Sequence, residues 1–195
     1  MNLKYKTPIL ENPQLIDRAV GEIQTGLKSS LNWLDYAFGK AQRITKVYPN
    51  GKRLLLPTVY AGGKDYLEVS PNDNIGNFCW FDFLDPQVYQ QDNMYVENTI
   101  TCQCGIVFWF DFRRLKLENE RDIENVKQQI LKILNGRLMY SFGSLMVNKI
   151  YERSENIYKG YTLDEANNQF LMHPFGGLRF ECSLNINETC YENFE

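Results

Sequence analysis

The sequence has little of the residue type on which enzymes most often rely, since it contains a single histidine, His173, among 195 residues. Nucleophilic catalysis usually pairs a serine or cysteine with a histidine base, and zinc sites combine histidine with closely spaced cysteines. Cys102 and Cys104 form a C-x-C pair, but no second C-x-x-C or H-x-x-x-H pair accompanies them. We therefore predict no cofactor and no metal site, and we expect the protein not to be an enzyme.

The chain also lacks long apolar runs and an excess of positive charge. No segment approaches the ~20 apolar residues that span a bilayer, and the opening MNLKYKTPILENPQL has no apolar stretch of the secretory type. With 21 Lys and Arg against 24 Asp and Glu, the net charge of -3 provides no electrostatic reason to bind nucleic acid. We expect a soluble, intracellular protein that neither enters membranes nor holds DNA.

The cysteines do not have the arrangement of a disulfide framework. They are five in number, which is odd, and three stand within strand-like apolar runs rather than at loops that a disulfide would join. We predict that they are reduced and lie in or near the core. They are Cys79, Cys102, Cys104, Cys182 and Cys190.

What the sequence does contain is the composition of a folded domain. It is 44% hydrophobic, 14% aromatic and 23% charged, which is typical of a protein with a buried core. Pro8 disfavours a helix just upstream, and Ile9 and Leu10 have no periodic apolar partners. We predict an extended N-terminal arm over residues 1–10, a single domain over residues 11–190 and a C-terminal tail over residues 191–195.

Two segments have the apolar periodicity of amphipathic helices. The first begins with Asn12 as its N-cap and Pro13 at the first helical position, and the second spans residues 119–135 with Asn119 or its neighbour as the cap. The apolar stripe of the first helix comprises Ile16, Val20, Ile23, Leu27, Leu31 and Leu34, and that of the second comprises Ile123, Val126, Ile130, Ile133 and Leu134.

Strand patterns dominate the rest of the chain. We predict strands over residues 44–47, 54–60, 66–69, 99–113, 145–153 and 178–187, with an aromatic strand-like segment over residues 78–84 that ends at Asp85-Pro86. Residues 154–177 form a long hairpin-like excursion between the last two strands. The order of elements predicts an α+β fold in which an antiparallel or mixed sheet is packed by two helices.

Four carboxylates lie near aromatic strands and are candidates for acid–base chemistry: Asp82, Asp85, Asp92 and Asp111. A small hydrolase could use Asp82 or Asp111, or a cysteine with His173. The spacing of these residues is not specific to any reaction, and aspartates at strand ends and turns are typically caps or solvated groups. The enzyme hypothesis therefore stays as an alternative.

Aromatic side chains indicate that parts of the surface need a cover. Trp109 stands on the nominally polar face of its strand, and an apolar group on a second face or in a loop can be covered by a partner subunit. We therefore expect an oligomer, or alternatively a monomeric binding domain with an aromatic groove. The candidate contact residues are Ile9, Leu10, Trp109, Tyr158, Phe170, Met172 and Phe175.

A late segment carries a family resemblance, together with the order of the elements. It runs from Val147-Asn-Lys-Ile-Tyr-Glu-Arg through Ile157-Tyr158-Lys159-Gly160 to His173-Pro-Phe-Gly-Gly-Leu-Arg-Phe-Glu181. With the long N-terminal helix and the central strand pair followed by a short helix, it resembles the tail-terminator and neck-ring proteins of tailed bacteriophages. The aromatic, Asn-rich style is similar to virion proteins of phages that infect Bacteroidetes, including crAss-like phages.

The resemblance implies a structural virion protein, made in the host cytoplasm, that forms a ring at the portal–tail junction. Such a head-to-tail connector is a homo-oligomer, a hexamer or dodecamer, whose partners are the portal, another neck ring or the tail tube. DNA passes through its lumen without specific binding. The arm of residues 1–10, the excursion of residues 154–177 and the tail from Cys190 onwards are the contact elements that this interpretation predicts.

Overall fold

The computed structural model describes residues 5–63, 65–92, 97–117, 121–136 and 140–189, which form seven strands, four α-helices and one short 3-10 turn, Phe112–Arg114. The helices are α1 (Leu15–Ser30), α2 (Ile123–Leu134), α3 (Ser154–Ile157) and α4 (Glu165–Gln169). The strands are β1 (Tyr36–Val47), β2 (Arg53–Gly62), β3 (Asp65–Glu68), β4 (Phe78–Asp92), β5 (Glu97–Asp111), β6 (Gly143–Tyr151) and β7 (Phe175–Thr189). No helix within these ranges is both long and apolar enough to cross a membrane.

All seven strands belong to one open sheet in the order β3-β2-β1-β4-β5-β7-β6. Neighbouring strands are antiparallel except β1 and β4, which are parallel. The long strands β5 and β7 pair along their whole length, from Glu97 opposite Thr189 to Asp111 opposite Phe175. The predicted α+β fold class is confirmed, with a mixed and mostly antiparallel sheet.

Helices α1 and α2 cover one face of the sheet, called here the helix face. The strict alternation of β5 places Cys104, Ile106 and Phe108 on this face, where they pack in one apolar cluster with Leu27 of α1 and Ile130 of α2. Full burial of such a side chain contributes about 2 kcal/mol to the free energy of unfolding. The stripes that the sequence analysis identified on both helices are therefore the stripes that form this core.

The opposite face, called here the excursion face, is covered at one end by residues 152–174, which connect β6 to β7. This excursion contains α3 and α4 and packs a second apolar cluster against the sheet. The cluster includes Phe38, Phe78, Trp80, Val107, Trp109, Ile157 and Tyr158. The excursion is thus a folded layer rather than a bare hairpin loop.

The predicted start of the first helix is wrong, and its apolar stripe continues past its end. The N-cap is Gln14, which makes no side-chain cap hydrogen bond, and Asn12 lies before the helix with a left-handed φ of 50°. The helix ends at Ser30, and Leu31 and Leu34 are buried beyond it, so their spacing continued the stripe without continuing the helix. A tertiary contact of the following loop can imitate helical periodicity.

The second helix begins later than predicted. Its N-cap is Asp122, whose side chain accepts a hydrogen bond of 2.9 Å from the amide of Asn125. Asn119, the predicted cap, lies outside the described residues. The strand predicted to end near Asp85-Pro86 instead continues to Asp92, because a register shift between Leu84 and Val88 absorbs the proline.

Candidate functional site

The described part of the N-terminal arm, residues 5–10, lies against α1 and β1 without joining the sheet. The Tyr5 amide donates to the Tyr36 hydroxyl over 3.4 Å, and the two rings meet edge to face at 5.8 Å. Ile9 contacts the helix at Gly21, where a Cβ would stand 3.5 Å from Ile9 Cγ2. Ile9 and Leu10 are nevertheless each 53% exposed. The arm therefore presents apolar surface outward.

Three grooves border this arm. One of about 350 Å³ includes Tyr5. The other two, which lie beside α1, have volumes of about 250 Å³ and about 370 Å³ and include Ile9 and Leu10, respectively. Gln24 lines the two grooves beside α1, and its buried side-chain amide donates to the carbonyl of Ala37 over 2.6 Å. The arm thus occupies part of a longer depression between α1 and the first strands of the sheet.

The excursion buries two of the predicted contact residues within the chain itself. Trp109 is fully buried, and its indole N–H donates to the carbonyl of Phe170 over 2.6 Å. Tyr158 is 3% exposed, and its hydroxyl donates to the carbonyl of Val69 over 3.0 Å. The cover that we expected a partner subunit to supply comes from the chain's own residues 152–174. Trp109 and Tyr158 therefore offer no surface to a partner in this structure.

The remaining predicted contacts of the excursion differ in exposure. Phe170 and Phe175 are partly buried and pack against each other with ring centroids 5.1 Å apart, and Phe175 also stacks on Trp109. Met172 is 66% exposed. Of the seven residues, Ile9, Leu10 and Met172 are the ones that lie on the surface. The aromatic groove of the alternative hypothesis is filled by Phe170 and its neighbours.

Asp82, one of the carboxylate candidates, belongs to a buried ion-pair cluster. The guanidinium of Arg179 donates to Asp82 Oδ2 over 2.8 Å and to Glu181 Oε1 over 2.7 Å. The Tyr161 hydroxyl donates to Asp82 Oδ1 over 2.8 Å, and Arg43 approaches the same oxygen at 3.4 Å. Two cations thus face two carboxylates, and the cluster lies where the excursion ends and the open sheet begins.

The pKa values in this cluster follow from burial and from charge pairing. Burial opposes the charged form of Arg179, but hydrogen bonds and charges from Glu181 and Asp82 outweigh it and raise its pKa. Burial, together with the charge of Asp82, raises the pKa of Tyr161, so this hydroxyl stays protonated and donates. Arg179 and Tyr161 leave no local signal of this cluster in the sequence, because their partner Asp82 is far away in the chain.

Asp111 has a separate partner and lies at the other end of the excursion face. Its carboxylate is 3% exposed and makes a bidentate pair with Arg113, with 2.7 Å between Arg113 Nη2 and Asp111 Oδ2. Asp82 stands opposite Gly105, six residues before Asp111 on β5. Six residues of strand span about 20 Å, so the two aspartates do not form a catalytic pair. Asp85 is exposed, and the side chain of Asp92 lies outside the described residues.

The thiols are not placed for nucleophilic chemistry with His173. His173 is exposed and stacks on Phe112 at 6.4 Å, whereas the four described cysteines are free and buried, as predicted, with Cys190 outside the described residues. Burial raises the pKa of Cys102 to about 11 and that of Cys79 further. A thiol needs a lowered pKa to attack at neutral pH. Among the described residues, no group of His, Cys, Asp and Glu is arranged to hold a metal ion.

Beyond the ion-pair cluster, the excursion face of the sheet is open and polar. Gln103 and Ser183 exchange hydrogen bonds across β5 and β7, and Thr101 donates to Asn185 over 2.9 Å. Met146 of β6 is 61% exposed on this surface. These cross-strand polar pairs keep the sheet face ordered without a covering layer.

Comparison of the chain with known protein families and with curated proteins gave no match. The functional interpretation therefore depends on the resemblance described above and on the surfaces that the fold exposes.

Proposed function

We propose that the protein is a structural subunit of a ring at the portal–tail junction of a tailed-phage virion, where it joins head to tail and lets DNA pass. The resemblance of residues 147–181 and of the element order to tail-terminator and neck-ring proteins supports this proposal. The distribution of exposed contact elements on the fold supports it independently.

The observation that carries the proposal is that the two ends of the sheet expose different surfaces. At one end are the arm with Leu10 and the exposed tyrosine pair Tyr60 and Tyr66, whose rings lie 5.7 Å apart. We call this surface the arm end. At the other end, β6 is the outermost strand and exposes Met146. We call that surface the β6 end.

Two different surfaces on opposite ends of a subunit are what a head-to-tail contact requires. If the arm end of one copy meets the β6 end of the next, each copy uses both surfaces, and the chain of contacts closes into a ring. A two-fold dimer would instead use the same surface on both copies. A hexamer or dodecamer is the ring size that the resemblance implies.

The test is the solution mass of the purified protein by light scattering, with negative-stain images of large species, for the parent and two variants. Leu10→Asp places a charge at the arm end, and Met146→Asp places one at the β6 end. We expect a ring for the parent and at least a tenfold loss of ring for each variant. Val47→Asp, at the 62% exposed last residue of β1, seven residues along the strand from the Lys40 that lines the groove beside Leu10, is the matched control and should leave the ring intact.

An equimolar mixture of the two variants separates head-to-tail from two-fold assembly. Each variant keeps one intact end, so the mixture should form a mixed dimer and no ring. A parent protein that stays monomeric, alone and with added portal, would contradict the proposed function. Equal loss of assembly in Val47→Asp would contradict the assignment of the two ends.

A further inference from the structure

The N-terminal arm is held weakly for a segment that lies against the body of the protein. Among the described residues, the backbone of residues 6–13 makes no hydrogen bond to the backbone of another segment. Its two large apolar side chains, Ile9 and Leu10, each keep about half of their surface in water. Grooves of about 250 Å³ and about 370 Å³ remain beside them. The docking of the arm on its own chain is therefore incomplete.

The connection between the arm and α1 is strained. Asn12 has a φ of 50° and Leu15 has a φ of 48°, both in the left-handed region. Asparagine tolerates this region, but a leucine there brings its Cβ close to the following carbonyl oxygen. The backbone of residues 12–15 is bent in order to return the arm to its own α1, and release of the arm would relieve this strain.

The groove beside the arm has features that can hold an incoming segment. The larger groove is lined by the apolar side chains of Val20 and Phe83 and is bordered by the ion pair of Lys40 with Asp17, at 2.6 Å. Ile9 packs on α1 at Gly21, where a Cβ would stand 3.5 Å from Ile9 Cγ2, an ordinary van der Waals distance. A segment that carries two adjacent apolar side chains on an extended backbone fits this combination, and the chain's own arm is such a segment.

We propose that the arm is an exchange element, which leaves its own chain on assembly and docks in the groove between α1 and β1 of a second copy. This inference rests on the proposed ring function and adds a second contact to it, in which the arm of one copy reaches the arm end of its neighbour. The occupant is residues 5–10 of the neighbouring subunit, with Ile9 of one copy packed on Gly21 of the other. Exchange replaces a strained connection by a relaxed one and retains the same docking contacts.

Disulfide trapping between two single variants tests this exchange. One protein carries Ile9→Cys and the other carries Gly21→Cys, and the two are mixed, assembled and oxidised. Because neither protein can form the bond alone, a covalent dimer on a non-reducing gel requires the arm of one copy to reach α1 of another. The double variant Ile9→Cys/Gly21→Cys is the control that the two positions are close enough to bond, since disulfides need Cβ atoms about 4 Å apart.

The expected result is covalent dimers in the mixture and no comparable band in either single variant, with the solution mass measured on the same samples. A mixture that forms rings but stays monomeric on the gel, while the double variant bonds within one chain, overturns exchange and leaves the ring function standing. Covalent dimers in particles of only two copies support exchange and overturn the ring. A mixture that neither assembles nor cross-links overturns both.

Discussion

At the scale of single residues, the pair of Asp82 and Arg179 is buried on both sides, with side chains 2% and 1% exposed. Gly105 stands opposite Asp82, and a Cβ on it would lie 2.5 Å from the guanidinium of Arg179. Only glycine leaves room for the arginine to lie flat over β5. A buried ion pair adds little net stability compared with apolar residues, but removal of one partner leaves an uncompensated charge.

Replacement of Asp82 by asparagine is therefore expected to destabilise the fold. Asp82→Asn leaves the guanidinium of Arg179 buried with less negative charge around it, and we expect the free energy of unfolding to fall by about 3 kcal/mol. Urea unfolding at neutral pH measures this change. Asp85→Asn, on the same strand but exposed, is the matched control and should change stability by less than about 0.5 kcal/mol. Equal effects in the two variants would contradict the importance of the buried pair.

The pairing of Asp111 with Arg113 predicts how the free energy of unfolding changes in acid. Burial disfavours its ionised form, but the hydrogen bonds and charge of Arg113 outweigh burial and lower its pKa. Since its folded pKa is below its unfolded value, the pair stabilises the fold above about pH 4, and this contribution is lost as pH falls through the folded pKa.

We expect Asp111→Asn to be less stable than the parent by about 1 kcal/mol at pH 7, a value reduced because Arg113 is largely exposed. The difference should shrink towards zero below pH 4. Urea unfolding across a pH series measures it, and Arg113→Met should show the same convergence. A difference that stays constant with pH would refute the linkage.

At the scale of elements, Leu15, the first residue of α1, has a left-handed backbone whose strain can be measured. Glycine adopts a φ of 48° without steric cost, whereas a side chain at position 15 pays about 1 kcal/mol. We therefore expect the free energy of unfolding of Leu15→Gly to exceed that of Leu15→Ala by about 1 kcal/mol, as measured by denaturant unfolding. Glycine normally stabilises a helix less than alanine does, so this order would be the reverse of the usual one. The reverse order would show that the backbone at position 15 is unstrained.

The excursion of residues 152–174 covers part of the sheet. Its hydrogen bonds from Trp109 and Tyr158 and its apolar contacts close one end of a sheet face that would otherwise be exposed. Antiparallel sheets can leave one face in water, and this sheet does so beyond the ion-pair cluster, where polar pairs replace apolar ones. The ion-pair cluster is therefore the boundary between the half of this face that the excursion covers and the half that is exposed to solvent.

At the scale of the whole molecule, the net charge bears on the proposed passage of DNA. The net charge is -3, and the open half of the excursion face has Gln103, Thr101, Ser183 and Asn185 on its central strands. Phosphate binding needs clustered cations that release counterions. We expect no change in fluorescence anisotropy of labelled duplex DNA on addition of micromolar protein at physiological salt. Salt-sensitive binding in that range would contradict a lumen that lets DNA pass freely.

Local patterns in the sequence determined much of the fold. The alternation in β5 and β7 and the apolar stripes of α1 and α2 identify the helix face correctly, because side-chain direction repeats every two residues in a strand and every 3.6 residues in a helix. The α+β class, the two main helices and the burial of the four described cysteines follow from the same periodicity. The predicted starts of the helices were less accurate. The N-cap of α1 is Gln14 and not the predicted Asn12, and no side-chain hydrogen bond marks it.

Tertiary structure alone decided which exposed-looking residues are covered and which charges are paired. Trp109 is buried by the chain's own excursion, and Asp82 meets Arg179 across 97 residues of sequence. It also decided that the arm returns to its own α1 through a left-handed Leu15. None of these contacts leaves a local signal, because each depends on residues that only the strand order β4-β5-β7 and the path of the chain bring together.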